Sequence, residues 1–328
     1  MVQAFFIVLQ QMLNFFFLML IGYLLARFKI LPESARTVMS RLETYVFLPA
    51  IYFLTFSKNC TIKNLSENYY FFIFGIGFVL LALGIAVVLA RLFVPTPDDQ
   101  RNIFRYSFIV ANYGYMGNAI VLEMFGELAL FHYMMFTQAF SLFVYTFGVA
   151  MLDPRSSGPR GFRLKSLVNP ILIAIVLGMT VGLLPFDFPG DLPNWLAFLP
   201  KALEAARNCM SPVAMILTGF VIGSFPIRVF FGNVRVYLAA LLRLIALPSL
   251  FVLVLKGLLH FIPIDQESAA ILTRSVLICT CMPMGLNTVV FPASHGADTR
   301  PGAGMALVST LMALVTVPLM FAIFGIKV

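Results

Sequence analysis

Two short segments place helix-breaking residues and side-chain amides inside apolar stretches of the sequence. The first is 112–118, Asn-Tyr-Gly-Tyr-Met-Gly-Asn, and the second is 281–287, Cys-Met-Pro-Met-Gly-Leu-Asn. A helix that breaks within a bilayer frees backbone polar groups that hydrocarbon cannot hydrogen-bond, so the break must lie inside protein or line a cavity. A matching pair of interrupted hydrophobic segments, one in each half of a chain, is the pattern that best indicates a transporter's binding site.

The chemistry that these two breaks predict is the binding of a carboxylate. A helix that restarts after a break presents free N–H groups and a partial positive charge in its first turn. Two such helix ends directed at one point favour an anion. The amides of Asn118 and Asn287, just after the glycines, and of Asn112, before its break, can donate to a carboxylate or accept from a hydroxyl. The alternative is that these amides only satisfy freed backbone groups.

The glycines and the proline of the two breaks are assigned mainly geometric roles. Gly114 and Pro283 are expected to open the helices, because glycine tolerates unusual dihedral angles and proline removes a backbone donor. Gly117 and Gly285 are placed at the substrate site with the asparagines, where they too are expected to shape the backbone more than to touch a ligand.

Arg243 is a charged side chain deep within another apolar stretch, Leu-Leu-Arg-Leu-Ile. Burying a charge in a bilayer is costly, so such a residue is a functional candidate. Three roles stay open: Arg243 can pair with an acid, bind an anionic substrate, or bond to backbone carbonyls near a helix break. Polar residues within other stretches, such as Ser141, can line a pathway but more often mediate helix packing.

The composition indicates a polytopic membrane protein. Of the 328 residues, 61% are hydrophobic and 11% are charged, whereas soluble domains carry roughly 25% charged residues. The mean hydropathy is +0.96. The net charge of +8 fits loops that anchor to a negative inner leaflet. No run of Lys and Arg is long enough to predict a nucleic-acid partner.

Apolar stretches of about 20 residues are long enough to cross a bilayer, and they predict an all-α membrane protein with ten transmembrane helices. The predicted spans are 4–26, 38–57, 69–93, 102–125, 128–151, 169–186, 208–226, 233–259, 269–292 and 303–325. Connections after the odd-numbered spans carry twice as many Lys and Arg residues as the others. Because the basic side faces the cytoplasm, both termini are expected outside.

The longest polar segment divides the predicted spans into two equal groups. It covers 153–168 and contains several prolines and glycines, as a cytoplasmic linker would. It separates a first five-helix repeat, 1–152, from a second, 169–328. Five is an odd number, so two tandem copies must cross the membrane with opposite polarity. Pro49 and Pro212, like Gly117 and Gly285, occupy similar places in the two halves, which supports an inverted repeat.

Cysteines and catalytic motifs exclude some functions. Cys60, Cys209, Cys279 and Cys281 lack the spacing of a metal site, so they are expected to be small hydrophobic side chains. Cys60 and Cys209 lie near the outer ends of two spans, and whether they form a disulfide is left open. The spans contain no paired acids, Ser/His pair or HExxH motif, so no enzyme, metal or organic cofactor is predicted.

The order and spacing of several motifs resemble the auxin efflux carrier family, in particular bacterial members related to the plant PIN auxin transporters. The resemblance covers nearly the whole chain, although no single motif is decisive. The motifs are Leu20-Ile21-Gly22-Tyr23, Phe47-Leu48-Pro49-Ala50, 112–117, Asn169-Pro170, Leu242-Arg243-Leu244 before Leu247-Pro248, Met282-Pro283 before Asn287, and Asp298 followed by Ser309-Thr310, Thr316 and Pro318.

This resemblance implies an inverted-repeat fold in which broken helices four and nine cross. It implies a scaffold of spans one, two, six and seven, through which the protein forms a homodimer. Spans three to five and eight to ten would form a mobile transport domain that works by elevator-type alternating access. Family substrates are small organic anions, including malonate, malate and auxin, and the family's amides would map onto Asn112 and Asn287. A bacterial inner membrane is the implied location.

The chain departs from the family pattern in ways that keep alternatives open. The first break contains no proline, so Gly114 and Gly117 must open it. Residues 275–282, where relatives often carry an acid, contain none, so a proton-coupling role for that acid is in doubt; proton or sodium coupling is unknown. The competing hypotheses are a sodium-coupled symporter resembling bile-acid transporters, against which the shortage of acids counts, and a membrane sensor without transport activity.

Overall fold

The computed structural model describes residues 2–95, 99–152, 169–185, 188–226, 234–285, 288 and 300–326. All regular secondary structure in these ranges is helical, and a helix satisfies its backbone hydrogen bonds within one segment, which suits a bilayer. The predicted linker 153–168 and Asn287 lie outside the described residues. The helices are α1 (Val2–Arg27), α2 (Ala35–Leu42), α3 (Leu48–Asn59), α4 (Ile62–Asn68), α5 (Tyr70–Phe93), α6 (Asp99–Ile109), α7 (Asn118–Phe143), α8 (Val149–Leu152), α9 (Pro170–Leu183), α10 (Phe198–Gly223), α11 (Val234–Leu241), α12 (Leu247–Leu259), α13 (Gln266–Cys281) and α14 (Arg300–Ile323).

Six helical stretches in the described ranges are long and apolar enough to cross a membrane. They are Phe5–Arg27, Tyr70–Phe93, Tyr113–Gly148, Asn194–Gly223, Val234–Leu259 and Gly302–Ile323, and α9 is apolar but shorter. The predicted second span corresponds to α2 and α3, and the predicted ninth begins in α13. The all-α membrane architecture is therefore confirmed, while the count of ten spans and the inverted repeat stay predictions.

One of these six stretches contains two helices that meet at a glycine. Gly126, inside α7, has φ +82° and ψ −175°, a conformation that glycine adopts readily because it lacks a Cβ atom. The break lies between the predicted fourth span, which ends at residue 125, and the predicted fifth span, which begins at 128.

Four five-residue π-helical segments adjoin the α-helices in the part of the chain that the structure describes. They are Glu43–Phe47, Tyr113–Gly117, Val144–Gly148 and Leu242–Ala246. The first and the last lie just before Pro49 and Pro248, which stand in the first turns of α3 and α12. Proline has no N–H to donate to the preceding turn, so a locally wider turn joins the two helical pieces.

Small residues allow α1 and α10 to pack closely. A Cβ atom on Gly22 would lie 2.0 Å from the carbonyl oxygen of Ile216, and one on Gly219 would lie 1.8 Å from that of Met19. Such close backbone approach is typical of helices packed within membranes. α3 packs on α9 and on α10, α5 packs on α6 and α7, and α12 packs on α13.

An ion-pair cluster joins three parts of the chain at the end of α3. Glu127, just after the Gly126 break, has a carboxylate oxygen 2.7 Å from Nη1 of Arg207 and the other 3.8 Å from Nζ of Lys58. Lys58 Nζ also lies 3.2 Å from Glu204. We call these four residues the outer ion-pair cluster. It connects α3 and α10 with the Gly126 break.

All four cysteines are free thiols in the structure. Cys60 is buried, as are Cys279 and Cys281, whereas Cys209 is exposed. The disulfide between Cys60 and Cys209 that the sequence leaves open is therefore not formed here.

Candidate functional site

The two broken segments of the sequence lie side by side in the structure. α6 ends at Ile109 and α13 ends at Cys281, and each is followed by non-helical backbone. Ala111 and Met284 form an antiparallel bridge, and the N–H of Asn112 donates to the carbonyl oxygen of Pro283 over 2.8 Å. Two segments that are about 170 residues apart in the sequence thus use each other's backbone groups.

Other groups freed by the breaks are satisfied within the protein. The N–H of Met284 donates to the Ser309 hydroxyl over 3.0 Å. The Tyr133 hydroxyl donates to the carbonyl oxygen of Tyr113 over 3.1 Å. The carbonyl oxygen of Asn112 accepts from the N–H groups of Met116 and Gly117. The protein thereby replaces the hydrogen bonds that water would offer.

A cavity of about 150 Å³ lies against the crossing point. Its volume is below the ~300–1,000 Å³ of pockets for drug-sized ligands, so it suits a small ion or molecule. Its lining comes from the two breaks, from the end of α7 and the π-helical segment after it, and from α2, α3, α9 and α10. The polar lining comprises Ser40, Thr44, Tyr52, Asn112, Tyr113, Tyr115, Ser141 and Tyr145.

Asn112 and Asn118 occupy different depths at this site. Asn112 lines the cavity, and its side chain does not cap the helical segment that follows. Asn118 is fully buried. Both polar atoms of its amide are shielded from solvent, and the Tyr52 hydroxyl is the hydrogen-bonding group beside them. Asn118 itself is not among the residues that line the cavity, but Tyr52 is.

The glycines of the breaks differ in what surrounds them. Gly114 and Gly285 line the cavity, and a Cβ atom on Gly114 would have no atom within 4 Å. Gly117 is not among the lining residues. A Cβ atom there would lie 2.1 Å from the Tyr133 hydroxyl, so Gly117 is required for packing. Pro283 contributes its carbonyl oxygen to the crossing, as the assignment of a geometric role predicts.

Arg243 bonds to the backbone at one of the breaks. The side chain is fully buried in the π-helical segment Leu242–Ala246, and Nη1 donates to the carbonyl oxygen of Thr280 in the last turn of α13. A cation at the carbonyl end of a helix is electrostatically favourable. Of the three roles that the sequence leaves open, the structure shows the bond to backbone carbonyls. No ion pair joins Arg243 to an acid of the described ranges.

Several residues in or beside the cavity lining were not predicted from the sequence. Ser141 lines it, as proposed for a pathway residue, but Tyr52 and Tyr145 were not singled out. Tyr113 Oη and Ser141 Oγ are 3.0 Å apart.

Glu43 was also not predicted as a site residue. It is fully buried next to the lining residue Thr44, and neither of its carboxylate oxygens has a hydrogen-bond partner. The available signal was an acid within an apolar span.

Known proteins match this chain along most of its length. The model of the family described as "Membrane transport protein" matches residues 7–160 and 159–321. The junction of the two matches falls in the segment predicted as the linker.

Two curated relatives are similar to the chain. One is a putative malonate transporter of Rhizobium meliloti, 23% identical over 314 residues that cover 93% of this chain and 92% of the relative. Another is an uncharacterized transporter of Methanocaldococcus jannaschii, 22% identical over 316 residues that cover 92% of this chain and 94% of the relative.

Proposed function

Because the chain belongs to the membrane transport protein family, the auxin efflux carrier family that its motifs resemble, we propose that it is a secondary transporter of small organic anions. Carboxylates such as malonate, malate or an auxin-like acid are the first candidates. The relative named as a putative malonate transporter supports this substrate class. Membership of a transporter family, together with six apolar helices of spanning length in the described ranges, supports an integral membrane transporter rather than an enzyme.

The observation that carries the proposal is the small polar cavity at the crossing of the two breaks. Tyr113, Gly114 and Tyr115, which form the first turn of the helix that restarts after the first break, all line the cavity. First-turn N–H groups have no partner within a helix and carry partial positive charge. They can therefore receive a carboxylate, with Asn112 beside them in the lining and Asn118, next to the lining residue Tyr52, proposed as a further amide. Asn287 is proposed as the matching amide of the second break.

We further propose that the chain works by elevator-type alternating access. The packing of α1 on α10 and of α3 on α9 supports a scaffold built from spans one, two, six and seven. The cavity lies between this group and the segments of spans four, five and nine. A substrate held there would be carried when the second group moves past the first. Homodimerisation through the scaffold and a bacterial inner-membrane location, with both termini outside, belong to the same proposal.

Binding to the purified protein tests the site. We expect malonate or malate to raise the melting temperature, and Asn118→Ala and Asn287→Ala each to weaken binding about tenfold or more. A hydrogen bond to a charged group contributes ~1.5–3 kcal/mol, which corresponds to this loss. Asn68→Ala, in the short helix α4 away from the cavity, is the matched control and should bind like wild type. Unchanged affinity in both site variants would place the site elsewhere.

Uptake into proteoliposomes tests the transport activity and its coupling. We expect the carboxylate to accumulate in the absence of sodium, and we expect a proton gradient to change the rate of uptake. Uptake that requires sodium would instead favour the symporter hypothesis. Binding without uptake under any gradient would favour a sensor.

A further inference from the structure

Glu43 is an acid buried within the second predicted span without any partner. It begins the π-helical segment Glu43–Phe47, its side chain is fully buried, and both carboxylate oxygens lack a hydrogen-bond donor. Ser40 and Thr44, which neighbour Glu43 on the helix, line the cavity. Glu43 also lies within electrostatic range of the phenol of Tyr115, another lining residue. The acid is thus beside the proposed substrate site.

The charged groups around Glu43 leave it unpaired. The elements packed against its segment are α2, α3, α9 and α10. Arg36 and Arg41 of α2 form no ion pair with Glu43, and Tyr45 of its own segment is exposed. α9 contains no titratable residue. The titratable groups of α3 are Tyr52 and Lys58, and those of α10 lie in its first half, at Lys201, Glu204, Arg207 and Cys209.

An ionised carboxylate in this position would lack both water and a counter-charge. Burying an unpaired ion costs so much that a buried acid takes up a proton instead. Glu43 is therefore neutral in the conformation observed. When movement of the first break, which contains Tyr115, admits water, the same group can release its proton. A carboxylate substrate in the adjoining cavity would repel an ionised Glu43, so anion binding and proton binding favour each other.

We propose that Glu43 is the proton-binding group that couples proton movement to the transport of the organic anion. This inference rests on the proposed function and deepens it by naming the coupling ion. The Glu43 carboxylate accepts one proton from water on the side where the anion loads and returns it to water on the side where the anion is released. No covalent bond to the substrate forms or breaks.

Calorimetric titration of the full-length purified protein with malonate tests the coupling. Repeating the titration in buffers of different ionisation enthalpy measures the protons taken up on binding. In titrations over a range of pH, wild type should take up protons beyond those that malonate itself binds wherever Glu43 is ionised in the substrate-free protein, and its affinity should fall about tenfold or more as pH rises through the titration of Glu43. Glu43→Gln should bind malonate without the excess proton uptake and without this part of the pH dependence. Glu67→Gln, an exposed acid of α4, should behave like wild type.

The infrared spectrum of the protein adds a measurement that needs no substrate. Wild type should show the C=O stretching band of a buried protonated carboxylic acid, and Glu43→Gln should lack it. Glu43→Asp, which keeps a titratable group, should retain the excess proton uptake.

The outcomes separate this inference from the proposed function. Malonate binding with equal proton uptake in wild type and Glu43→Gln overturns the role of Glu43 while transport stands. An infrared band unchanged by Glu43→Gln overturns it as well. Failure of wild type to bind or transport any carboxylate overturns the proposed function itself.

Discussion

At the scale of single residues, the two glycines of the first break have separable roles. Gly114 faces open space at the cavity, whereas Gly117 packs against the Tyr133 hydroxyl. From the sequence, Gly114 is expected to open the helix and Gly117 is placed at the substrate site, although both are needed to open a break that contains no proline. Only their neighbours in the folded chain distinguish a residue that shapes the substrate cavity from one that permits packing.

We therefore predict that one alanine variant loses substrate affinity and the other loses stability. Gly114→Ala should keep the melting temperature of wild type but weaken carboxylate binding, because its methyl group enters the cavity. Gly117→Ala should destabilise the protein by about 1–3 kcal/mol, the usual cost of overpacking. Melting temperature and binding, measured in parallel, distinguish the two effects.

The double variant Gly117→Ala with Tyr133→Phe provides the control. Removing the hydroxyl removes the clash but also the hydrogen bond to the carbonyl oxygen of Tyr113. Partial recovery of stability is expected. If Gly117→Ala were as stable as wild type, the close contact with Tyr133 would not be the constraint that we infer.

At the scale of secondary-structure elements, the end of α13 depends on a residue from another helix. α13 ends at Cys281 because Pro283 cannot continue it, and its last carbonyl groups then lack intrahelical donors. Arg243 supplies one donor, from a π-helical segment that directs its side chain toward Thr280. The charge inside the span thus stabilises the interruption that builds the site.

Arg243→Met tests this role. The variant should lower stability by ~1.5–3 kcal/mol, the contribution of a hydrogen bond to a charged group, and should weaken substrate binding only as a consequence of the altered break. Thermal unfolding in detergent measures the loss, and Arg41→Met, which removes an exposed arginine, is the matched control. A variant with the stability of wild type but no affinity for carboxylates would show that Arg243 is a substrate ligand instead.

At the scale of the whole molecule, the outer ion-pair cluster links the proposed scaffold to the proposed transport domain. Lys58, Glu204 and Arg207 belong to α3 and α10, whereas Glu127 follows the Gly126 break on the other side. Movement of one group past the other must break the pairs that Glu127 makes. Partly exposed ion pairs contribute about 0–1 kcal/mol each, which is enough to bias two conformations without holding the fold together.

Glu127→Gln should therefore change transport more than stability. We expect a melting temperature close to that of wild type and a severalfold change in the initial rate of uptake. High salt should reproduce the effect in wild type, because it screens exposed pairs. Glu204→Gln, which leaves both pairs of Glu127 intact, should have a smaller effect. Equal rates in Glu127→Gln and wild type would argue against movement at this boundary.

Sequence patterns were enough to establish the class of protein and the location of the breaks. Hydropathy and charge scarcity place the chain in a membrane, and apolar stretches of about 20 residues indicate helices, which satisfy their own backbone hydrogen bonds in hydrocarbon. Proline, glycine and asparagine within apolar stretches mark where helices end, since these residues act on their own turn of backbone. The family followed from the order and spacing of these motifs.

Tertiary structure alone decided which groups meet. It pairs Asn112 with Pro283, joins Arg243 to Thr280, buries the amide of Asn118 beside the Tyr52 hydroxyl, and leaves the carboxylate of Glu43 buried without a hydrogen-bond partner. Burial and hydrogen bonding of a side chain depend on residues distant in the sequence, so local composition does not reveal them. For this reason the sequence predicted the two breaks that meet at the cavity but missed the buried acid next to the lining residue Thr44.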